Sequence, residues 1–502
     1  MLTRLKIDGF KNLKAVDIRF GPFTCVAGGN GVGKSNLFDA IRFLSALADR
    51  PLIDAALSVR SEAGMGGDLR SIFHHVGERY GRTISFEVEM LVPSEGVDDL
   101  GQRAKASITF LRYALELECR EDDGSRSLGG LRIRREDLRH ISLGDAVARL
   151  PFKHAPNWRR SVVKGRRNSP FISTEEAGDQ TYIKLHGDMG KVGRTRQFLA
   201  ESLPRTLLSS ATAAESPTAL LARREMQSWR LLQLEPSALR APDPYNAPSR
   251  LGPNGAHLPA ALGRLAQIHK GERKESEYSR KVYSGIANRL AELVEGVRWL
   301  RVDADDRREL LSLVVRDRDG TEHEARGLSD GTLRFLALCV LEGDPEAQGL
   351  ICLEEPENGI HPERVPAMMR LLQDLAMDVS LPVGPDNPLR QVIINTHSPT
   401  VVSIVPDESL VVAAVEPMAS DKGRFSVATF RWLDKTWRAN AAKDVPTVSR
   451  GKLMAYLNPL GMTARFDDYG VVDRQVRSRN RRVMDRPDLQ ILLPLSLAAD
   501  SP

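Results

Sequence analysis

Residues 28–36 read Gly28-Gly29-Asn30-Gly31-Val32-Gly33-Lys34-Ser35-Asn36. The spacing of Gly28, Gly33, Lys34 and Ser35 is that of the phosphate-binding loop G-x-x-x-x-G-K-[ST]. Its glycines let the backbone turn with successive N–H groups pointing inward, which makes a concave site for anions. The lysine reaches the β- and γ-phosphates of a nucleoside triphosphate, and the serine hydroxyl ligates Mg²⁺. Upstream, the apolar run Phe23-Thr24-Cys25-Val26-Ala27 predicts a buried strand feeding the loop. Downstream, Leu37, Phe38, Ile41 and Leu44 keep helical spacing, and a helix starting here adds its positive end to the phosphate site. Strand, loop and helix together predict an α/β chain that holds a nucleoside triphosphate through Gly28, Asn30, Gly31, Gly33, Lys34, Ser35 and Asn36.

The 502 residues allow two or three domains, and 41% hydrophobic with 27% charged residues is an ordinary globular composition. A net charge of +5 leans mildly towards an anionic partner. Cys25, Cys119, Cys339 and Cys352 are scattered without a C-x-x-C pair, so reduced thiols are expected rather than zinc or disulfides. The first residues lack the apolar core of a signal peptide, and no run approaches the ~18 apolar residues of a membrane span. A cytoplasmic protein without a membrane partner is expected.

Working outward, residues 2–20 alternate around Gly9 and predict two strands before the buried one. Period-two alternation recurs over 83–90, 106–111, 113–118 and 131–134, which predicts an antiparallel region with one wet face. Residues 153–167 crowd Lys153, His154, Arg159, Arg160, Lys164, Arg166 and Arg167 around Trp158. They read either as a solvated basic loop or as a nucleic-acid contact in which Trp158 stacks on a base. Residues 216–300 turn helical, Trp229 and Leu232 included, with a proline-rich break at 236–253. Strands return at 300–302 and 310–316. A basic run, Arg474 to Arg482, reads as a solvated helix face or disordered arm, or as a contact for nucleic acid or a protein partner. The expected divisions are therefore 1–45, 46–215, 216–300, 301–435 and a tail, 436–502.

Three further motifs lie between 327 and 398. Leu328-Ser329-Asp330-Gly331-Thr332 precedes an apolar helix, with Ser329 as its natural cap and Gly331 leaving backbone N–H groups open to a phosphate. Leu350-Ile351-Cys352-Leu353 predicts a buried strand that ends in Glu354-Glu355-Pro356-Glu357-Asn358. One carboxylate there, Glu354, can hold Mg²⁺, and the next, Glu355, can orient and polarise an attacking water. Gln391 to Thr396 predicts a third buried strand, whose tip carries His397 where it can contact the γ-phosphate or that water.

In this order and spacing the motifs resemble the ABC-type ATPases of the SMC/RecF class, and among them the OLD-like ATPases. Two departures, Asp330 for a glycine of the signature and Glu354 for the usual aspartate, are those of the OLD-like branch. The resemblance implies a P-loop NTPase of ABC/SMC-head type, with a mixed central sheet, an antiparallel β-subdomain and a helical insertion. It implies ATP with Mg²⁺ and a head-to-tail dimer or higher oligomer, in which Ser329 and Gly331 of one copy cap the nucleotide of another. Glu355 and His397 are then catalytic, with Ser35 and Glu354 at the metal. The Q-loop residue has no clear position in the sequence; Gln102 and the 64–75 region are candidates. The OLD family's nuclease needs a Glu-Gly start and a D-x-D pair, whereas Glu416 precedes Pro417 and the later acids are Asp467-Asp468. The chain thus resembles most the ATPase subunit of Septu-type anti-phage systems, which works with a separate nuclease. A RecF-like repair protein, a nuclease using Glu416, Asp467 and Asp468, and a nucleotide-locked scaffold are the alternatives.

Overall fold

A computed structural model describes residues 1–59, 68–120, 130–167, 169–188, 195–267, 276–420, 423–457 and 483. At its centre is a six-stranded sheet in the order Arg230–Leu232, Gly349–Glu354, Arg390–Thr396, Phe23–Ala27, Leu410–Ser420 and Gly423–Trp432. The first five run parallel and the last closes the sheet antiparallel. Strands covered on both faces read as continuous apolar runs, as Phe23–Ala27, Leu350–Leu353 and Val392–Ile394 do. Alternate residues feed two separate cores. Val26, Leu350, Cys352, Ile393 and Val411 face the helix Lys34–Leu47 and the β-lobe. Cys25, Ile351, Leu353, Val392 and Ile394 face helices Leu258–Leu265, Glu277–Ala291, Asp330–Glu342 and Val365–Leu375.

An eight-stranded antiparallel sheet lies beside it. Its order is Arg196–Leu199, Gln180–Leu185, Ile172–Ala177, Leu131–His140, Phe110–Cys119, Thr83–Leu91, Leu2–Asp8 and Val16–Arg19. Strand Leu2–Asp8 pairs with both Val16–Arg19 and Thr83–Leu91, so the division expected at residue 45 runs through one continuous sheet. A third sheet joins Val297–Asp305, Leu310–Asp317 and two short flanking strands.

Two readings of the sequence are corrected. Residues 230–232 are not helical: they form a strand parallel to Gly349–Glu354, with Leu231 opposite Cys352. Three residues are too few for periodicity to choose, and pairing with a buried neighbour decides the conformation. Trp158 does not offer a face to a base, because its side chain is 0% exposed. It lies on the short helix Pro156–Val162 and packs against Phe152, ring centres 5.6 Å apart, in a small apolar cluster with Leu150 and Met377. The basic run Arg474–Arg482 and the pair Asp467-Asp468 lie outside the described residues. No helix of the described residues is long and apolar enough to cross a membrane.

Candidate functional site

Parallel strands all expose their carboxyl ends on one side, and ligands of open α/β sheets bind there. Register does the rest. Thr396 lies opposite Ala27, and Asn395 lies opposite Glu354, so the loop after residue 27, the acids after 353 and the polar tip after 395 converge. The Gly28 N–H donates to the Thr396 carbonyl at 3.1 Å and ties the loop to the neighbouring strand.

The loop closes on itself. Lys34, only 6% exposed, donates through Nζ to the carbonyls of Gly28 (2.7 Å) and Gly29 (2.8 Å). Burial pushes the lysine pKa down, while Glu355, Glu357 and Glu354 pull it up. Gly33 adopts φ +106° and a side chain there would meet Ala428 and Asn12; at Gly28 a Cβ would stand 2.6 Å from the Ala413 carbonyl. These are close approaches that glycine alone permits. Helix Lys34–Leu47 starts at Gly33 with no capping side chain, which leaves the orphan N–H groups of its first turn without one. Asn36 Nδ2 donates to Asn12 Oδ1 at 2.8 Å, and Asn30 and Gly31 form the exposed rim.

Glu355 is held at every polar atom. Its N–H donates to the carbonyl of Asn395 (3.0 Å) and to Asn395 Oδ1 (3.1 Å). Asn358 Nδ2 donates to Glu355 Oε2 at 2.7 Å, and His397 Nδ1 donates to Oε1 at 2.7 Å. Burial opposes ionisation of this carboxyl, but the bonds from His397 and Asn358, with Lys34 nearby, outweigh it and hold the pKa below the usual range. Glu357 behaves oppositely: desolvation raises its pKa, with Thr396 Oγ1 donating to Oε1 and Oε2 buried without a partner.

Ser35, Gln233, Arg334, Glu354, Glu355 and Asn395 share the walls of one cleft of about 500 Å³. Gln233 was not among the Q-loop candidates. It follows the strand Arg230–Leu232 and donates through Nε2 to Glu354 Oε2 at 3.1 Å. Its one signal in the sequence is a glutamine that follows the short stretch Trp229-Arg230-Leu231-Leu232. Gln102 instead belongs to a hairpin turn in the β-lobe and does not line the cleft. Arg334 reaches the Asn358 carbonyl from helix Asp330–Glu342, with its Nε buried and unpartnered. Ser329 caps that helix, accepting from the Thr332 N–H at 3.2 Å. Neither Ser329 nor Gly331 lines this chain's own cleft.

An uncapped helix start beside a buried lysine fits a polyphosphate, and a hydroxyl with a carboxylate on one wall fits its Mg²⁺. Of the residues considered for a nuclease, Glu416 is ion-paired to Arg431 across two strands. Among the described residues no group of three or more His, Cys, Asp or Glu could hold a metal. Lys153, Arg160, Lys164 and Arg166 are exposed, whereas Arg167 is tied to the carbonyls of Ser169, Pro170, Gly187 and Asp188.

Two family profiles match the chain. One, described as "AAA domain, putative AbiEii toxin, Type IV TA system", matches residues 190–403, and one described as "AAA domain" matches residues 4–85. The DNA replication and repair protein RecF of Porphyromonas gingivalis is 48% identical over 46 residues, which are 9% of this chain and 13% of RecF. The chain thus spans about an eighth of the length of the curated relatives it matches. Among solved structures, the SMC head domain from Thermotoga maritima is similar with TM-score 0.35 and 11% identity, over 86% of this chain and 99% of that one. The Smc head domain bound to the C-terminal domain of ScpA derived from Pyrococcus furiosus has TM-score 0.38 and 12% identity, over 85% and 96%.

Proposed function

We propose that this chain, an AAA-type P-loop ATPase of the SMC/RecF class, binds and hydrolyses ATP as one half of a head-to-tail dimer. The observation that carries the reading is the single cleft in which Ser35, Glu354 and Glu355 meet, with His397 bonded to Glu355. The N–H groups of residues 29–36 cradle the phosphates, with Gly28, Asn30, Gly31 and Gly33 shaping the loop and Asn36 bracing it. Lys34 releases its two loop carbonyls to meet the β- and γ-phosphates, and Ser35 and Glu354 take the metal. When bound, Mg²⁺ neutralises charge on the phosphate oxygens. Glu355, already ionised and aimed by His397 and Asn358, takes a proton from the attacking water. Ser329 and Gly331 of a second copy close the open side, since they stand apart from their own cleft.

Glu355→Gln is expected to bind ATP normally, lose turnover by about 10²- to 10⁴-fold and accumulate as a closed dimer in gel filtration with ATP. Undiminished turnover in that variant sinks the reading.

For the wider role we favour the nucleotide-sensing subunit of a bacterial anti-phage complex acting with a separate nuclease or other effector. The toxin–antitoxin description of the profile over 190–403 supports a partnered defence role. The 46-residue match to RecF favours a second reading, a DNA repair ATPase. Co-purification from the native operon decides between them: a nuclease partner supports defence, and replication proteins support repair.

A further inference from the structure

The eight-stranded sheet has a second face, turned away from the core it shares with helix Lys34–Leu47. On strand Phe110–Cys119, Tyr113, Leu115 and Leu117 point into that core, so Arg112 stands on the outer face. Leu138 is core on strand Leu131–His140, which puts Arg139 on the outer face as well, and register sets it directly opposite Arg112. Like charges so placed across an antiparallel pair destabilise it. A third guanidinium comes from above. Phe110 and Ile141 share one apolar cluster with Ala146 and Leu150, so the loop 142–150 lies over this end of the sheet. Arg149, on the short helix Ala146–Arg149 of that loop, pairs with buried Glu89, the register partner of Arg112 on its other side. Arg112, Arg139 and Arg149 thereby line one cleft of about 220 Å³, together with Asp145 and Pro170.

The acids nearby are committed elsewhere. Glu87 stands 3.9 Å from Arg112 but 3.2 Å from Lys6, and Asp137 stands 3.7 Å from Arg139 but 2.5 Å from Arg135. Both longer distances exceed a hydrogen bond. Glu89 is shared with Arg4 at 3.3 Å, and Asp145, the acid in the lining, accepts from Ser142 Oγ at 2.7 Å. Three guanidinium groups against one lining acid select an anion, and their planar donors suit phosphate oxygens. A phosphate monoester fits this excess best, with about −1.5 to −2 charge at pH 7 on three acceptor oxygens. The cleft is smaller than the roughly 300–1,000 Å³ of drug-sized sites, so the ligand is small. Leu143 and Val147, exposed on the loop that carries Asp145 and Arg149, offer an apolar rim for its organic part.

We propose that this cleft on the β-lobe binds a small phosphate monoester, with the phosphoryl group on Arg112, Arg139 and Arg149 and the organic part against Leu143 and Val147. The site is separate from the phosphate loop and does not rest on the ATPase reading. The test is calorimetric titration of the full chain with phenyl phosphate in phosphate-free buffer. Arg112→Gln/Arg139→Gln is expected to weaken binding more than tenfold, since each lost contact is a hydrogen bond from a charged group. Lys34→Ala, which disables the phosphate loop, and Arg134→Gln, an exposed arginine of the same strand outside the cleft, should both keep the parent's affinity. Without ligand the double variant should melt at or above the parent's temperature, because it relieves a like-charge pair. It should also lose the upward shift that phenyl phosphate gives the parent. Affinity that survives in the double variant, or that disappears with Lys34, overturns the site. A double variant that melts below the parent shows the two cations already satisfied by their own acids, and overturns it too. Diphenyl phosphate binding as well as phenyl phosphate overturns the monoester, and inorganic phosphate binding as well overturns the organic part. A phosphoserine peptide binding more tightly than phenyl phosphate overturns the small molecule as ligand.

Discussion

Glu355 occupies a backbone conformation, φ +44°, that residues with a side chain seldom adopt. Such a residue is destabilised by about 1–3 kcal/mol and persists only where its surroundings over-determine it. Here they do: Asn395, Asn358 and His397 fix its N–H and both carboxylate oxygens. Asn395 Nδ2 also donates to Glu354 Oε1 at 3.3 Å, and Gln233 donates to Oε2 of that acid. Glu354 is the carboxylate proposed to take the metal, and removing a residue that aims such a ligand typically costs 10- to 100-fold in activity. Gln233→Ala is accordingly expected to slow ATP turnover by roughly that factor while nucleotide affinity, read by titration with a fluorescent analogue, changes only a few-fold. Equal turnover in the variant would leave Gln233 a bystander. The two acids and His397 are legible at the ends of buried strands, but Asn395 and Gln233, which hold Glu354, are not. Asn395 lies 41 positions from Glu354 and Gln233 lies 121 away, and only sheet register brings them side by side.

At the scale of the element, strand Leu131–His140 carries an acid where alternation should place an apolar residue. Glu136 is fully buried and accepts from Tyr113 Oη (3.1 Å) and from the N–H groups of Leu207 (2.8 Å) and Leu208 (2.9 Å). It thereby joins the β-lobe sheet to the turn before helix Pro217–Gln227. Desolvation outweighs those three donors, and its pKa is pushed up to about 7. An unfolded glutamate titrates near 4.3, so over that interval the folded chain keeps a proton that the unfolded chain has lost. Stability from this group is thus full below about pH 4.3 and lost as pH rises through about 7. Thermal melts across that range should show the decline in the parent and its absence in Glu136→Gln; parallel profiles would contradict the assignment. Short elements were the hardest to read. Residues 230–232 read as helix because a stretch of three residues, Arg-Leu-Leu, carries no period, while the long strands over 83–91 and 110–119 declare themselves by alternation.

At the scale of the whole molecule, helix Asp330–Glu342 lines the cleft of Ser35 and Glu355 through Arg334 and Leu338, while Ser329 at its start is outside that lining. A symmetric head-to-tail pair would close the first cleft of each copy at once. Mixing Lys34→Ala with Ser329→Arg tests this directly, since each variant alone lacks both composite sites. The mixed dimer regains one, so an equimolar mixture should recover about a quarter of the parent turnover. No recovery would count against the shared site. Residues 436–457 also pack on this core rather than trail from it: Arg438 is buried and donates to the Arg19 carbonyl at 2.9 Å, and Tyr456 reaches towards the Thr396 carbonyl at 3.5 Å.

The sequence by itself determined the phosphate loop, the two acids, the histidine and their order, because each is a short string at the end of a strongly apolar segment. Local chemistry of that kind does not depend on distant residues. Tertiary structure decided that Trp158 is core and that Gln233 stands at the acids. These facts follow from which strand lies beside which, and in a sheet whose neighbours come from residues 23–27, 230–232, 349–354, 390–396 and 410–420, adjacency is set by packing two cores at once.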